Sequence, residues 1–371
     1  MVSCELVTQH NEGTEGTYVI AAGKTGGHIF PGLALAREIR ARRPNAPILF
    51  IGTGAPLEKQ LIPAAGFELE AIRASGFVGR SIAAKLRALS DLPVGFLRAR
   101  SILRRHRVRA VAGTGGFVSV PVLAAARSLH IPTLVFDSDA HPGLATRLAN
   151  RFATRTAVGF AQANQRLGRP GKVTGTPVRA EFFAIPPLDP RSTSRRLLVF
   201  GGSQGSVVLN RAMATAAVLL ASDGFDVVHQ TGARNIEATR RLYGKEPRGW
   251  RLEAFLPRLY EELSWADLVV CRAGALTLAE VSAAGRPAIL VPFAAAAHGH
   301  QAANALALTE AGAATMIDEA ALTGDTLATE VRRLFEDRSR LIEMGRRARA
   351  LSVPGSAERL ADLLIEAEEA A

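Results

Sequence analysis

Tyr18-Val19-Ile20-Ala21-Ala22 runs straight into Gly23-Lys24-Thr25-Gly26-Gly27-His28, and this junction carries the fold. A short apolar run closed by a glycine cluster and followed by helical spacing predicts a buried strand, a tight turn and a helix. Glycine lets the backbone approach a phosphate, and the helix that follows offers unpaired N–H groups and the positive end of its dipole. One such loop is weak evidence, because a strand-to-helix turn needs glycine for its geometry alone. Its spacing matches neither the G-x-G-x-x-G of a dinucleotide fold nor a Walker loop.

Outward from this junction the same unit recurs. Apolar runs at Ile48–Ile51, Ala110–Ala112, Thr133–Phe136, Leu197–Phe200, Val227–His229, Leu268–Cys271 and Ala288–Val291 alternate with helical patterns, as in βαβ units of a parallel sheet. Three of them lead into further glycine loops: Gly113-Thr114-Gly115-Gly116, Gly201-Gly202-Ser203-Gln204-Gly205 and Arg272-Ala273-Gly274. Ligands of open α/β sheets bind at the carboxyl ends of strands, where these loops lie. The proline-rich, polar stretch from Phe182 to Ser194 breaks the pattern midway and reads as an interdomain link. The chain is therefore expected to be α/β, with two Rossmann-like doubly wound domains facing a central cleft. A flexible extension over 1–17 precedes an N-terminal domain over 18–178 and a C-terminal domain over 179–353. A last helix within 354–371 is expected to pack back on the N-terminal domain.

With 371 residues, 48% of them hydrophobic, the chain can bury two ordinary cores. Cys4 and Cys271 make no disulfide framework and no Cys/His cluster has zinc-ligand spacing, which fits a reducing cytoplasm. The polar start lacks the regions of a signal peptide, and no apolar stretch reaches the length of a membrane helix. A net charge of +11 suggests an anionic partner, but only five of the 45 basic residues are lysine, so distribution weighs more than the total. Nine basic residues fall between Arg80 and Arg109 against one acid, Asp91. Ile82, Leu86, Leu89, Leu92, Val94, Phe96 and Leu97 are interleaved with them, the pattern of an interfacial segment, and Pro93 with Gly95 is expected to open a loop there. The bland alternative is an amphipathic helix packed on the sheet with its arginines solvated. No nucleic-acid partner is expected, since no binding motif occurs and aromatics are only 6%.

Five motifs follow one another in order: Gly23–Ala34 (GKTGGHIFPGLA), Gly113–Pro121 (GTGGFVSVP), Phe200–Asn210 (FGGSQGSVVLN), Ala266–Glu280 (ADLVVCRAGALTLAE) and Val291–Ala305 (VPFAAAAHGHQAANA). From about Tyr18 to the C-terminus the chain resembles the N-acetylglucosaminyltransferases that convert lipid I to lipid II in peptidoglycan synthesis. The resemblance implies a GT-B architecture, UDP-N-acetylglucosamine as donor and a lipid-linked muramoyl acceptor. It also implies an inverting mechanism with no cofactor and no obligatory metal, on the anionic inner face of the cytoplasmic membrane.

By the same resemblance, Thr25, Gly26, Gly27, Asp139, Arg179, Ser203, Gln204, Phe255, Leu256, Ala275, Leu276, Thr277, Glu280 and Gln301 border the donor. Gly115, Gly116 and Phe117 cradle the acceptor diphosphate. Glu280 lies six residues after Gly274, about one and a half helical turns, where a carboxylate can accept from two ribose hydroxyls; the bland alternative is a solvated helix charge. Ser203 can bond the diphosphate, Gln301 can reach the sugar or phosphate, and Phe255 with Leu256 lies beside the uracil. Arg179 neutralises leaving-group charge or serves as a hinge contact. His28 is nominated as general base, with Asp137 and Asp139 as the next candidates.

Two departures stand out. Asp137-Ser138-Asp139 occupies the place of the family's usual Glu-Gln-Asn, and Lys24 stands where the first loop usually has glycine. These keep open a related UDP-sugar transferase with a different lipid or glycan acceptor. A non-catalytic nucleotide-sugar-binding regulator also stays open.

Overall fold

A computed structural model describes residues 16–74, 82–245, 247–296 and 299–371, and for residues 82–90 their helical course alone. The N-terminal half comprises β1 (Thr17–Ala21), α1 (Gly26–Arg42), β2 (Ile48–Gly52), α2 (Pro56–Ala64), β3 (Glu68–Ala71), α3 (Ile82–Arg105) and β4 (Val108–Gly113). It continues with α4 (Ser119–Ser128), β5 (Thr133–Asp137), α5 (Leu144–Ala149), β6 (Arg155–Val158) and β7 (Lys172–Val173). The C-terminal half comprises α6 (Ala180–Phe183), β8 (Arg196–Phe200), α7 (Val207–Ser222), β9 (Asp226–Gln230), α8 (Ile236–Tyr243), β10 (Trp250–Glu253) and α9 (Leu259–Trp265). It closes with β11 (Leu268–Cys271), α10 (Ala275–Ala283), β12 (Ala288–Leu290), α11 (His300–Glu310), β13 (Ala314–Met316), α12 (Gly324–Phe335), α13 (Arg338–Leu351) and α14 (Ser356–Glu369).

The strands form two parallel sheets, in the orders β3-β2-β1-β4-β5-β6-β7 and β10-β9-β8-β11-β12-β13. In each sheet the order reverses between the first strand and its second neighbour, β1 beside β4 and β8 beside β11. The four glycine loops follow these four strands, so each pair flanks a switch point, where a crevice opens at the carboxyl edge.

Period-two alternation accounts for the cores. Tyr18 and Ile20 of β1 join the cluster on one face of the first sheet, Val19 and Ala21 that on the other. Leu197 and Val199 of β8 are likewise separated from Leu198 and Phe200. The strands absent from the sequence expectations are β3, β6, β7, β10 and β13. Most are short edge or near-edge strands with exposed polar positions, such as Glu68 and Lys172, and they lack the fully apolar signature.

Three expectations need correction. Thr17, assigned to the extension, already belongs to β1, while residues 1–15 lie outside the described residues. Phe182, assigned to the link, is fully buried in the C-terminal core, so the link begins after it. Pro93 and Gly95 do not open a loop: α3 runs through both. An interior proline costs roughly 3 kcal/mol of helix propensity, and here it is offset by the burial of Ala99, Ile102 and Leu103 in the core. Gly95 is required for close approach, since a Cβ there would lie 2.4 Å from the Arg73 carbonyl oxygen.

The chain crosses between the halves twice, near Gly175 and near Val353. The crossings touch: a Cβ on Gly175, whose φ is +74°, would lie 2.4 Å from Val353 Cβ. After the second crossing α14 packs against α1 and β4, burying Leu360, Ala361, Leu363 and Leu364 in the N-terminal core. Arg109 Nε lies 2.7 Å from Glu368 Oε1, and Tyr18 donates to Glu368. The link itself is held by the C-terminal half, where Arg349 donates to the Phe183 and Ile185 carbonyls and Arg286 to that of Pro186.

Candidate active site

At the first switch point two glycine loops interlock around His28. Gly115 and Gly116 have φ of +119° and +81°, and a Cβ on Gly115 would sit 2.3 Å from His28 Cδ2. Thr114 Oγ1 donates to the His28 carbonyl at 2.9 Å. His28 Nδ1 lies 2.8 Å from the Gly23 carbonyl. A carbonyl can only accept, so Nδ1 carries the proton and Nε2 presents its lone pair. Burial holds the His28 pKa below the usual imidazole value, with the charge of His300 acting in the same direction and Gly23 and Asp139 opposing. Phe117 is partly buried on the core behind this loop. Thr25 is the N-cap residue of α1, with Gly26 and Gly27 in its first turn.

Lys24 has φ of +58°, which explains why glycine suits its place. Its N–H donates at 2.7 Å to Glu58, a buried carboxylate that also accepts from Thr53, Gly54 and Ala55 N–H groups. Glu58 ties the first loop to α2. The sequence carried no sign of it, because a glutamate in a helix's first turn usually faces water.

The β5–α5 loop supplies the Asp137-Ser138-Asp139 departure. Asp137 is turned inward, accepting from Asp139 N at 2.9 Å, and burial together with the Asp139 charge raises its pKa. Asp139 Oδ1 accepts from Asn304 Nδ2 at 2.8 Å, and Ala140 N donates to Asn304 Oδ1 at 2.7 Å. Both carboxylates are therefore engaged in hydrogen bonds within the protein. Asn304, fully buried on α11, spans the two halves and also bonds the Ala273 carbonyl. It lies inside the last quoted motif and could have been singled out there.

At the second switch point, Ser203 and Gln204 are exposed on the loop that opens α7. Gly205 packs so tightly that a Cβ would lie 1.9 Å from the Thr231 carbonyl oxygen. Gln204 Oε1 accepts from Arg234 at 2.8 Å. Gly274 is the N-cap residue of α10, so Ala275, Leu276 and Thr277 form the first turn with unpaired N–H groups. Glu280, one turn further, makes no hydrogen bond or ion pair among the described residues. Glu280 is half-buried, and its desolvation pushes the pKa up to about 7 against the opposing charge of Arg179. The Arg179 guanidinium lies 5.5 Å from the Tyr260 ring centroid. Phe255 is 56% exposed on the β10–α9 loop and Leu256 packs on the core beside it. Gln301 opens α11 next to His300, its Oε1 accepting from Phe293 N at 2.9 Å.

Sequence reasoning also passed over Arg272 and Glu319, joined at 2.6 Å, and His300. No group of His, Cys, Asp and Glu side chains among the described residues is arranged to hold a metal ion. No described helix is long and apolar enough to cross a membrane.

Two family models match the chain: the glycosyltransferase family 28 N-terminal domain over residues 18–158 and the C-terminal domain over residues 196–360. The UDP-N-acetylglucosamine–N-acetylmuramyl-(pentapeptide) pyrophosphoryl-undecaprenol N-acetylglucosamine transferase of Anaeromyxobacter dehalogenans (strain 2CP-1) is 41% identical over 94% of this chain and 92% of its own. Its counterpart from Methylococcus capsulatus is 39% identical over 94% and 98%. The crystal structure of Acinetobacter baumannii MurG superposes with a TM-score of 0.78 at 29% identity, covering 95% of this chain and 99% of that one. The calicheamicin glycosyltransferase CalG4, at 19% identity and a TM-score of 0.70, shares the fold.

Proposed function

The chain belongs to the UDP-N-acetylglucosamine–N-acetylmuramyl-(pentapeptide) pyrophosphoryl-undecaprenol N-acetylglucosamine transferases of glycosyltransferase family 28, and we propose how its residues share that reaction. It is a hexosyltransferase of GT-B architecture that moves N-acetylglucosamine from UDP-N-acetylglucosamine to the muramoyl sugar of lipid I, forming lipid II.

The donor assignment rests on one observation above all, the half-buried Glu280 carboxylate at the second switch point, which has no hydrogen-bond donor among the described residues. Two ribose hydroxyls supply those donors. The diphosphate then lies between the Ser203 loop and the first turn of α10, where the N–H groups of Ala275, Leu276 and Thr277 and the charge of Arg179 meet it. Phe255 and Leu256 flank the uracil. The Gly115-Gly116 loop holds the acceptor diphosphate. His28 Nε2 takes the acceptor hydroxyl proton as that oxygen bonds to C1 of the donor sugar. The C1–O bond to phosphate breaks with its electron pair leaving on UDP, and attack from the opposite face inverts C1. The leaving charge is met by Arg179 and the two helix N-termini, so this scheme calls for no cofactor or metal.

We place the protein peripherally on the inner face of the cytoplasmic membrane through α3. Val94 and Leu97 are 48% and 64% exposed on it, with Arg104 exposed on the same face. Arg105 and Arg98 approach Glu70 at 2.7 and 3.8 Å, so their charge is partly spent within the protein. Incubation with radiolabelled UDP-N-acetylglucosamine and lipid I tests the reaction. Label is expected in lipid II, and transfer only to another acceptor would overturn the assignment.

A further inference from the structure

The loop that follows β12 is held by the ends of its two neighbouring strands. Arg272, directly after β11, donates to the Val291 and Pro292 carbonyls at 3.2 Å each and to Glu319 Oε1 at 2.6 Å. Glu319, after β13, turns its other oxygen to Ala294 N at 2.7 Å. The Arg272 guanidinium lies 5.4 Å from the Phe293 ring centroid. Between these anchored positions stands Phe293 N, which donates to Gln301 Oε1 at 2.9 Å. A backbone N–H can only donate, so the amide oxygen of Gln301 is the atom turned to it. The Gln301 NH2 group is left with no acceptor among the described residues.

We infer that Arg272 and Glu319 are a positioning pair that sets Gln301 so that it offers the donor sugar N–H groups and no acceptor. This rests on the proposed sugar role of Gln301. An amide free to rotate presents an oxygen as readily as a nitrogen. With its oxygen engaged, the side chain recognises a lone pair, on a sugar hydroxyl or the acetamido carbonyl, and discriminates by leaving its N–H groups unpaired when that lone pair is missing. The pair touches no substrate itself. Both side chains are only 10% and 12% exposed, so the loop cannot shift without breaking a desolvated ion pair.

The test is a double-mutant cycle on kcat/KM for UDP-N-acetylglucosamine, read beside the Kd for UDP, which lacks the sugar. Gln301→Glu keeps an oxygen for Phe293 N and removes the donor, whereas Glu319→Ala releases the loop. Each is expected to lower kcat/KM about tenfold with UDP affinity within twofold. The double variant is expected to lose no more than about tenfold, because Glu319 acts through Gln301. Glu319→Gln, which can still accept from Ala294 N but then turns its NH2 group toward the Arg272 guanidinium, should recover only part of the loss. If Glu319→Ala does not fold, Glu319→Asp, whose shorter carboxylate withdraws from that N–H, takes its place in the cycle. A roughly hundredfold loss in the double variant, or wild-type kcat/KM when Glu319 is changed, would overturn the inference. Failure of the wild type itself to use UDP-N-acetylglucosamine would instead refute the underlying assignment.

Discussion

Asn304 of the C-terminal half and Asp139 of the N-terminal half are hydrogen-bonded to each other at 2.8 Å, and Asn304 also accepts from Ala140 N at 2.7 Å. This residue pair bridges the two halves at the mouth of their facing loops. His28 lies on one side, Glu280 on the other, and the bond holds them in one register. Asn304→Ala leaves the Asp139 carboxylate, the Ala140 N–H and the Ala273 carbonyl without their bonds to it, at a cost of about 1–3 kcal/mol for a buried group left unpaired. A ten- to hundredfold fall in kcat with little change in UDP affinity is the expected result of steady-state kinetics and UDP titration. A loss confined to UDP affinity would contradict the clasp.

Glu280→Gln should weaken UDP binding about tenfold or more while leaving the fold intact, as calorimetric titration can determine. Burial pushes its folded pKa up to about 7, above the usual carboxylate value near 4.5. The native state therefore binds the extra proton, and this residue's contribution to stability falls as pH rises from about 4.5 through 7. Relative to wild type, Glu280→Gln should gain on the order of 1 kcal/mol at pH 8, discounted for partial solvation, and nothing at pH 4. Equal melting temperatures at both pH values would argue against desolvation of the carboxylate.

His28→Ala is expected to lower kcat by about 10²–10⁴, the usual range for a general base, with UDP affinity within twofold. The imidazole pKa is depressed, so the neutral base persists below pH 6.5 and the acid limb of the wild-type kcat profile should lie under that value. The same depression makes folded stability fall as pH drops below 6.5, where the unfolded chain takes up the proton first. An acid limb above 6.5 would point to another base.

Gly115→Ala should reproduce much of the His28 defect without removing the imidazole. The added Cβ would overlap His28 Cδ2 at 2.3 Å, and φ of +119° is unfavourable for alanine. Loss of kcat with unaltered UDP binding is the expected outcome, and full activity would show that the loop has room.

Binding to anionic vesicles should depend on Leu97 and Arg104 more than on Arg105, which Glu70 already holds at 2.7 Å. Sedimentation is expected to show clear losses for Leu97→Glu and Arg104→Gln, little for Arg105→Gln, and weakening with salt, since exposed charges are screened beyond about 10 Å at 0.1 M. Equal pelleting with neutral vesicles would reject the electrostatic part.

Much of this architecture was legible in the chain. β1 and β8 announce themselves because strands buried on both faces must be continuously apolar, and each leads into a glycine turn. Five motifs in order carried the family. Edge strands such as β3 and β7 stayed hidden because half-exposed strands carry mixed residues. Pro93 misled because propensity is local, whereas the burial that carries α3 through it comes from elsewhere in the chain.

What the sequence by itself determined is therefore the doubly wound class, the four glycine loops and the residue types at the site, since these follow from short-range pattern. Only the tertiary structure decided which side chains act together. Glu58 reaches the Lys24 amide, Asn304 reaches Asp139 across 165 residues, and Glu319 meets Arg272 across 47. Such pairs have no periodicity to betray them. Their partners become neighbours only when parallel strands bring their carboxyl ends to one edge, and there burial makes an unmet donor or acceptor costly enough to select a single arrangement.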